Sequence, residues 1–339
     1  MVTIVLLLSV NLKLIYAQKP SVTPDNLKEW VSFLASDQML GRRNGSPEME
    51  KAATWIAGKF QEMGLKPVIT LSSGYSIIFT APSVDFISDY TFTSRQNEVN
   101  ERNVIGLLEG SDQLLKDEYI ILSAHFDHIG IKRGSKTDSI YNGADDNAAG
   151  TATLIGIAKA IKESGIKPGR SIIFAAFSGE ESGMRGSRNF VANPPVPVNR
   201  IYADLNFEMT GHSEYLGKNN FYMTGCRMSN LDDLVGEYNK GTGFQLVDTI
   251  QMAHMLFGSS DNIAFSRISV KDGITTGIPS GTFATTTMGP HVHNVTDEVG
   301  LFDFENMAAL INHFSGLVLW FSINKNEVEW TNPGFIKPK

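Results

Sequence analysis

Five short segments of the chain carry acidic residues and histidines in patterns that could bind a metal ion. In the first, His125 and Asp127 lie two apart and point the same way on an extended chain, so one could bind metal while the other orients it. In another, Glu180 directly precedes Glu181, and of two adjacent glutamates one can bind a cation while the other accepts a proton from water. The remaining segments contain Asp145–Asp146, Glu208 and His291–Asp297.

Each segment also has a plainer interpretation when it is taken alone. An acidic pair such as Asp145 and Asp146 before a helix most often acts as an N-cap beside a favourable helix dipole. Glu180 and Glu181 alone would most often belong to a solvated loop, and His293 alone would more often be a surface residue. The prediction of a metal site therefore depends on the five segments occurring together in one chain.

The elements that must position these residues alternate along the chain. Apolar runs at 119–123, 171–177 and 200–207 are typical of buried strands, and apolar residues at helical spacing predict helices at 147–161 and 185–191. This alternation predicts an α/β fold, with a mainly parallel central sheet, helices on both faces and a single globular domain. Most of the acidic and histidine segments follow a strand, at the edge where open α/β sheets bind ligands.

The rest of the chain is predicted to extend this architecture at both ends. Two amphipathic helices lead the chain, and a strand-rich stretch separates them from the alternating elements. The remaining predicted elements are helices at 26–35, 47–63, 229–238 and 303–321 and strands within 75–93 and at 103–108 and 280–286.

Charge and cysteine content argue against a nucleic-acid-binding protein and against a fold stabilised by disulfides. The 339 residues include 29 basic and 36 acidic ones, which gives a net charge of −7. The sequence contains no stripe of basic residues that could follow a phosphate backbone, so nucleic acid is not an expected partner. The single cysteine, Cys226, forms no intramolecular disulfide and is expected to pack in the interior.

The amino terminus resembles a secretory signal peptide. Residues 1–17 form an apolar run that closes on Ala17 and is followed by polar residues, which predicts cleavage after Ala17 and a mature domain at 18–339 with a helical segment at 24–66. We therefore expect an exported protein, periplasmic or secreted. The alternative is an uncleaved anchor, because the run lacks a positive flank. We expect no later membrane span and no stable membrane association after cleavage.

At the level of motifs, the sequence resembles the M28 zinc peptidases, a family that includes bacterial aminopeptidases and glutamate carboxypeptidases. The resemblance runs from about Leu34 to Phe321, and in the helical segment it includes Leu34-Ala35-Ser36-Asp37 and Gly41-Arg42-Arg43. The metal-site motifs then follow in order, as Ser123–His128, Gly143–Ala148, Glu180–Ser187 and His293–Asp297.

The resemblance implies a zinc exopeptidase-like fold, also described as phosphorylase/hydrolase-like, and two zinc ions. The implied ligands are His125, Asp145, Glu181, Glu208 and His293. Asp145 is expected to bridge the two ions and to form a cis peptide with Asp146. Glu180 is expected to act as general base, and Asp127 to orient His125.

Two positions depart from the family pattern. Glu208 stands where aspartate is commoner, although glutamate can still bind zinc through oxygen. Asn262 stands where many relatives have histidine, and its loop is assigned to the substrate pocket. Among the other histidines, His128 is expected to neighbour the site without binding metal.

These observations predict an exported di-zinc exopeptidase that acts on peptide substrates. We favour an aminopeptidase, because the sequence shows no protease-associated insert and no arginine patch for a carboxylate. A single-zinc glutaminyl cyclase on the same fold is the first alternative, and it would not need His125 as a ligand. A non-catalytic binding domain is the second.

Overall fold

The structure is a computed structural model that describes residues 21–70, 76–78, 86–94, 97–132, 134, 138–268 and 277–332. The predicted signal peptide at 1–17 lies outside the described residues, as does part of the strand-rich stretch at 75–93. Cleavage after Ala17 and export therefore stay predictions.

The described residues contain ten β-strands and eight α-helices, in an alternating order through the centre of the chain. The strands are β1 Lys66–Thr70, β2 Ser76–Ile78, β3 Ile87–Ser94, β4 Asn97–Leu108, β5 Tyr119–His125, β6 Ser171–Phe177, β7 Ile201–Phe207, β8 Asn220–Met223, β9 Gln245–Leu246 and β10 Ser280–Ala284. The helices are α1 Pro24–Leu34, α2 Pro47–Glu62, α3 Gly150–Ser164, α4 Arg185–Ala192, α5 Leu231–Asn239, α6 Gln251–Leu256, α7 Asn262–Ser266 and α8 Phe304–Ile323.

All ten strands belong to one mixed sheet. Their order is β2-β1-β4-β6-β5-β7-β10-β8-β9, with β3 paired to β4. The four adjacent strands β6, β5, β7 and β10 run parallel, whereas β4 and β8 join them in antiparallel fashion. The predicted α/β class is confirmed; the parallel arrangement occupies the centre of the sheet, antiparallel pairing begins at β4 and β8, and the edge strand β9 pairs parallel to β8.

Helices cover both faces of the sheet, as strand β6 shows, because its alternate residues pack into different cores. In β6, Ile172 and Phe174 join the larger core, which includes residues of α1, α2, α3 and α8. Ile173 and Phe177 join a smaller core on the other face, with Phe190 of α4 and residues of α7. Burying each such side chain contributes about 1.5–3 kcal/mol, so both faces hold the sheet in place.

The two predicted N-terminal helices are present and capped as their sequences suggest. Thr23 caps α1 by accepting a hydrogen bond from the backbone N–H of Asn26 at 3.3 Å, and Ser46 caps α2 through Met49 N–H. A 3₁₀ helix at Asp37–Arg42 joins them. This arrangement carries the Gly41-Arg42-Arg43 motif to the sheet edge where β5 ends, because His128 N–H donates to Arg42 O.

Helix α8 is a core helix. By length and composition alone it could cross a membrane, so the expectation that no later segment would be long and apolar enough was wrong. Its most apolar window is 83% buried inside the protein. Phe314 packs against Phe207, Phe221 and Phe283 with ring centroids 4.9–5.8 Å apart, so the apolar residues of α8 serve the larger core.

Candidate metal centre

The parallel centre of the sheet brings three of the predicted segments to one edge. His125 is the last residue of β5, Glu180 and Glu181 follow β6 after a short turn, and Glu208 directly follows β7. Because these strands are parallel neighbours, their carboxyl ends lie side by side. The loops that follow β5 and β10 add the acidic pair and His293 to the same edge.

One group of potential ligands surrounds the imidazole of His125. Its Nε2 lies 3.3 Å from Asp146 Oδ1 and 3.4 Å from Glu208 Oε1. The side chain is fully buried, yet Nε2 makes no hydrogen bond. Glu208, despite its extra methylene, therefore reaches the place that the resemblance gives to an aspartate.

These separations fit a metal ion. Zinc binds histidine nitrogen and carboxylate oxygen at about 2.0–2.2 Å in tetrahedral geometry. Two ligands of one tetrahedral ion then lie about 3.3–3.6 Å apart, which matches the distances from His125 Nε2 to Asp146 and Glu208. A buried imidazole nitrogen without a donor or acceptor partner, facing two carboxylates, is what such an ion would satisfy.

A second group of potential ligands lies on the other side of Asp146. Asp146 Oδ2 is 3.1 Å from His293 Nε2, which in turn is 3.1 Å from Glu181 Oε2. His128 adds a second nitrogen to this group, because its Nδ1 lies 2.9 Å from Glu181 Oε1 and 3.9 Å from Asp146 Oδ2. The sequence analysis expected His128 only to neighbour the site, whereas the structure groups it with Asp146 and Glu181 as a possible ligand.

The residue shared by both groups is Asp146, and the prediction of Asp145 for that place is wrong. Asp145 turns away from the histidines of both groups: its Oδ1 accepts a hydrogen bond from Gly211 N–H at 2.9 Å and its Oδ2 one from Thr286 Oγ1 at 2.7 Å. The cis peptide also lies one residue later than expected, between Asp146 and Asn147. Consecutive side chains diverge in this irregular turn, so only one of the two carboxylates can face the cluster.

Asp297 holds the backbone of this turn. Its two oxygens accept hydrogen bonds from Asp145 N–H at 2.8 Å and from Asp146 N–H at 3.0 Å. Gly143 is required at the start of the turn, because its φ is +59° and a Cβ there would lie 2.5 Å from the ring of His128. The backbone of the acidic pair Asp145–Asp146 is thus held by the hydrogen bonds to Asp297 and by the tight turn at Gly143.

Asp127 connects His125 to the glutamate turn. Its Oδ1 lies 3.6 Å from His125 Nδ1 and accepts a hydrogen bond from Glu180 N–H at 3.1 Å. Its Oδ2 accepts one from Glu181 N–H at 3.2 Å. The carboxylate is fully buried, so it places His125 and both glutamates relative to one another.

Glu180 stands beside the two groups without belonging to either among the described residues. Burial raises the pKa of its carboxyl well above the usual range; the carboxylates of Glu208, Asp261 and Glu181 raise it further, and His125 opposes them. A carboxyl group with a raised pKa, next to possible metal ligands, suits a proton acceptor.

The charges of the cluster favour a cation. Hydrogen bonds to Asp146 and Glu181 raise the pKa of His293 to about 10. Burial opposes protonation of His125, yet the facing carboxylates of Asp127, Asp146 and Glu208 raise its pKa well above the usual range. Both histidines respond to an excess of carboxylates, which a divalent cation would neutralise.

Two further residues, His291 and Asn262, lie outside the cluster. His291 is half-buried, and its Nδ1 lies 2.8 Å from Thr296 Oγ1. Asn262 is fully buried, donates to Phe257 O at 3.1 Å and accepts from Thr282 Oγ1 at 2.9 Å. Asn262 therefore supports β10, and the assignment of its loop to the substrate pocket stays a prediction.

Comparison with known proteins agrees with this geometry. The family model described as Peptidase family M28 matches residues 103–317, which is more than half of the chain. A probable leucine aminopeptidase from Arthroderma benhamiae is 25% identical over 77% of this chain and 62% of its own length. The alkaline phosphatase isozyme conversion protein of Escherichia coli is 29% identical over 44% of this chain and 41% of its own length. The chain thus spans less than two thirds of these relatives.

Solved structures share the fold at low identity. The zinc aminopeptidase BSAP from Bacillus subtilis superposes with a TM-score of 0.65 at 15% identity, over 91% of this chain and 97% of that protein. A glutaminyl cyclase from Porphyromonas gingivalis superposes with a TM-score of 0.64 at 16% identity, over 88% and 99%. From the family match and the clustered motif residues together, we conclude that this chain belongs to peptidase family M28.

Proposed function

We propose that this chain is a zinc aminopeptidase whose two groups of potential ligands, which share Asp146, would each hold a zinc ion. The observation that carries the proposal is that the two oxygens of one carboxylate face two separate groups, Oδ1 toward His125 and Oδ2 toward His293. Bridging by a single carboxylate is how two-metal hydrolases keep their ions close together. The aminopeptidase names among the relatives support the same proposal.

Each side chain has a defined part in the proposed reaction. His125, Asp146 and Glu208 would hold one ion, and Asp146, Glu181 and His293 the other, with His128 in reach of the second group. When bound, the ions would polarise the scissile carbonyl and lower the pKa of water.

Glu180 is placed to move the proton. Its carboxylate takes a proton from the attacking water and delivers it to the leaving amine. The hydrogen bond between Glu180 N–H and Asp127 fixes the backbone that carries it.

The first alternative, a single-zinc glutaminyl cyclase, is represented among proteins with the same fold. The arrangement of this chain favours two ions, because His125 retains both its buried position and its two carboxylate neighbours. The second alternative is a binding domain without activity. Metal-competent side chains are present in both groups, which favours an enzyme.

The proposed function is tested by assaying the purified protein on aminoacyl p-nitroanilides, acylated dipeptides and peptides with N-terminal glutamine. We expect release of free N-terminal residues, loss of activity with chelator, recovery with zinc, and about two zinc ions per chain. Cyclisation of N-terminal glutamine with one ion per chain would establish the cyclase instead. No zinc-dependent turnover on any substrate would overturn the proposal.

Zinc binding should release protons. Because the pKa of His293 is raised to about 10, its ring is protonated at neutral pH in the metal-free protein, and a ligand must be neutral. The apparent zinc affinity should therefore rise as pH increases from about 6 to about 9. Calorimetry in two buffers with different ionisation enthalpies measures the protons released.

The half-buried His291, which lies outside both groups, provides the matched control for this measurement. His293→Asn should reduce the release by about one proton, whereas His291→Asn should leave it unchanged. An affinity that does not vary with pH, or equal release from both variants, would contradict this account of His293.

A further inference from the structure

We propose that Asn44 is a positioning residue of the metal centre, which acts by fixing the carboxylate of Asp127. This proposal rests on the proposed two-zinc function. Asn44 belongs to the segment between the 3₁₀ helix and α2, outside residues 103–317 that the family model matches.

A single amide group of Asn44 joins two segments of the site. Its Nδ2 donates to Asp127 Oδ2 at 2.8 Å and to Ser182 Oγ at 3.0 Å. Asp127 follows His125, and Ser182 directly follows Glu181, so the amide links the histidine segment to the glutamate turn.

The orientation of Asp127 depends on the donors around it. Its Oδ2 receives hydrogen bonds from Glu181 N–H and Asn44, and its Oδ1 receives one from Glu180 N–H. Because the carboxylate is fully buried, loss of a donor leaves charge without a partner, which costs more than the bond itself contributes. Rotation of the carboxylate would alter the 3.6 Å approach of Oδ1 to His125 Nδ1.

Asn44 is itself held on both sides along the chain. Arg42 is fully buried, and its guanidinium donates at 2.9 Å both to Phe126 O and to Gly143 O. On the other side, Gly45 N–H donates to the buried carboxylate of Glu101. Hydrogen bonds thus fix the backbone on either side of Asn44. The amide therefore contacts Asp127 from a position that needs no rearrangement when metal binds.

Because Asn44 acts as a hydrogen-bond donor, its replacement by a carboxylate of the same size tests the proposal directly. Asn44→Asp keeps the size of the side chain but replaces the donor with a carboxylate next to Asp127. Two carboxylates at that separation repel, so the carboxylate of Asp127 loses a donor and is displaced from its position. Asn44→Ala removes the donor without adding charge, and it should show a smaller loss in the same direction.

The test measures zinc affinity by calorimetry and kcat on an aminoacyl p-nitroanilide, in variants whose folding is checked by thermal melting. We expect Asn44→Asp to weaken zinc binding and lower kcat by about 10- to 100-fold. The exposed Asn199 is the control, and Asn199→Asp should change neither quantity. If Asn44→Asp does not fold, Asn44→Ala decides the question by the same criteria.

A double-mutant cycle separates positioning of Asp127 from a merely structural role in the turn. In an Asp127→Asn background, Asn44→Asp should cost little more, because the pair can again form a hydrogen bond. Additive losses in zinc affinity, or an Asn44→Asp protein with wild-type zinc affinity and kcat, would overturn the proposal. A wild-type chain that binds no zinc would instead overturn the proposed function, so the two failures are distinguishable.

Discussion

Replacing Glu180 with glutamine should leave both zinc ions bound and lower kcat by about 10²- to 10⁴-fold, the usual contribution of a general acid or base. Glutamine keeps the shape of the side chain and cannot accept the proton of the attacking water. Glu180 belongs to neither candidate ligand group, so zinc content should stay at the wild-type level. Steady-state kinetics and metal analysis of the same preparation measure the two quantities together.

Two control variants give the limits for the Glu180→Gln result, one with no expected effect and one with an expected loss of zinc. Glu163 is an exposed residue of α3, and Glu163→Gln should behave as wild type. Glu181→Gln changes the adjacent glutamate, whose Oε2 lies 3.1 Å from His293 Nε2, and it should lose zinc as well as activity. A fully active Glu180→Gln protein would mean that another group takes the proton, and the assignment of the base would be wrong.

The elements that carry the site could be predicted because their patterns are long and strong. Strand β6 was predicted with the bounds that it has, since every one of its residues is buried between two apolar layers. Strands β1 and β9 and helices α6 and α7 were not predicted. These elements have two to six residues, too few to establish a period, and the contacts that define them come from distant parts of the chain.

Most of the cluster could also be predicted, because His125, Glu181 and Glu208 lie at or just after strand ends where a motif fixes their place. His128 was underestimated for a physical reason. On an extended chain it would point away from His125, but β5 ends at His125 and the chain turns. The contacts of Asn44 with Asp127 and Ser182 join residues 83 and 138 positions apart, and no local pattern predicts such a pairing.

The acidic pair shows where a motif alone fails. Asp145 and Asp146 are both buried, and both would satisfy a rule that asks for an aspartate after Gly143. Their environments decide between them. Burial alone would raise the pKa of Asp146, but the close approach of the His125 and His293 rings outweighs burial and holds it well below the usual range, whereas burial raises the pKa of Asp145 to about 7. Asp146 is therefore the carboxylate that a pair of cations would recruit.

This difference in environment predicts a large loss of zinc affinity for one of two matched substitutions and a small change for the other. Asp146→Asn should weaken zinc binding at both sites by more than about 100-fold, because a directly bound ligand contributes more than an outer partner, and it should abolish turnover. An amide has one oxygen and cannot bridge two ions as a carboxylate does. Asp145→Asn should stay within about 10-fold of wild type in zinc affinity, since the amide oxygen can still accept from Gly211 N–H.

The comparison isolates the bridging position, because both variants remove one negative charge from adjacent residues of the same turn. Calorimetric titration with zinc gives the stoichiometry and affinity of each protein, and thermal melting confirms that each is folded. If Asp145→Asn lost both ions while Asp146→Asn kept them, Asp145 would be restored as the bridging residue. Equal losses would mean that the turn fails as a unit, and that the assignment to Asp146 alone is wrong.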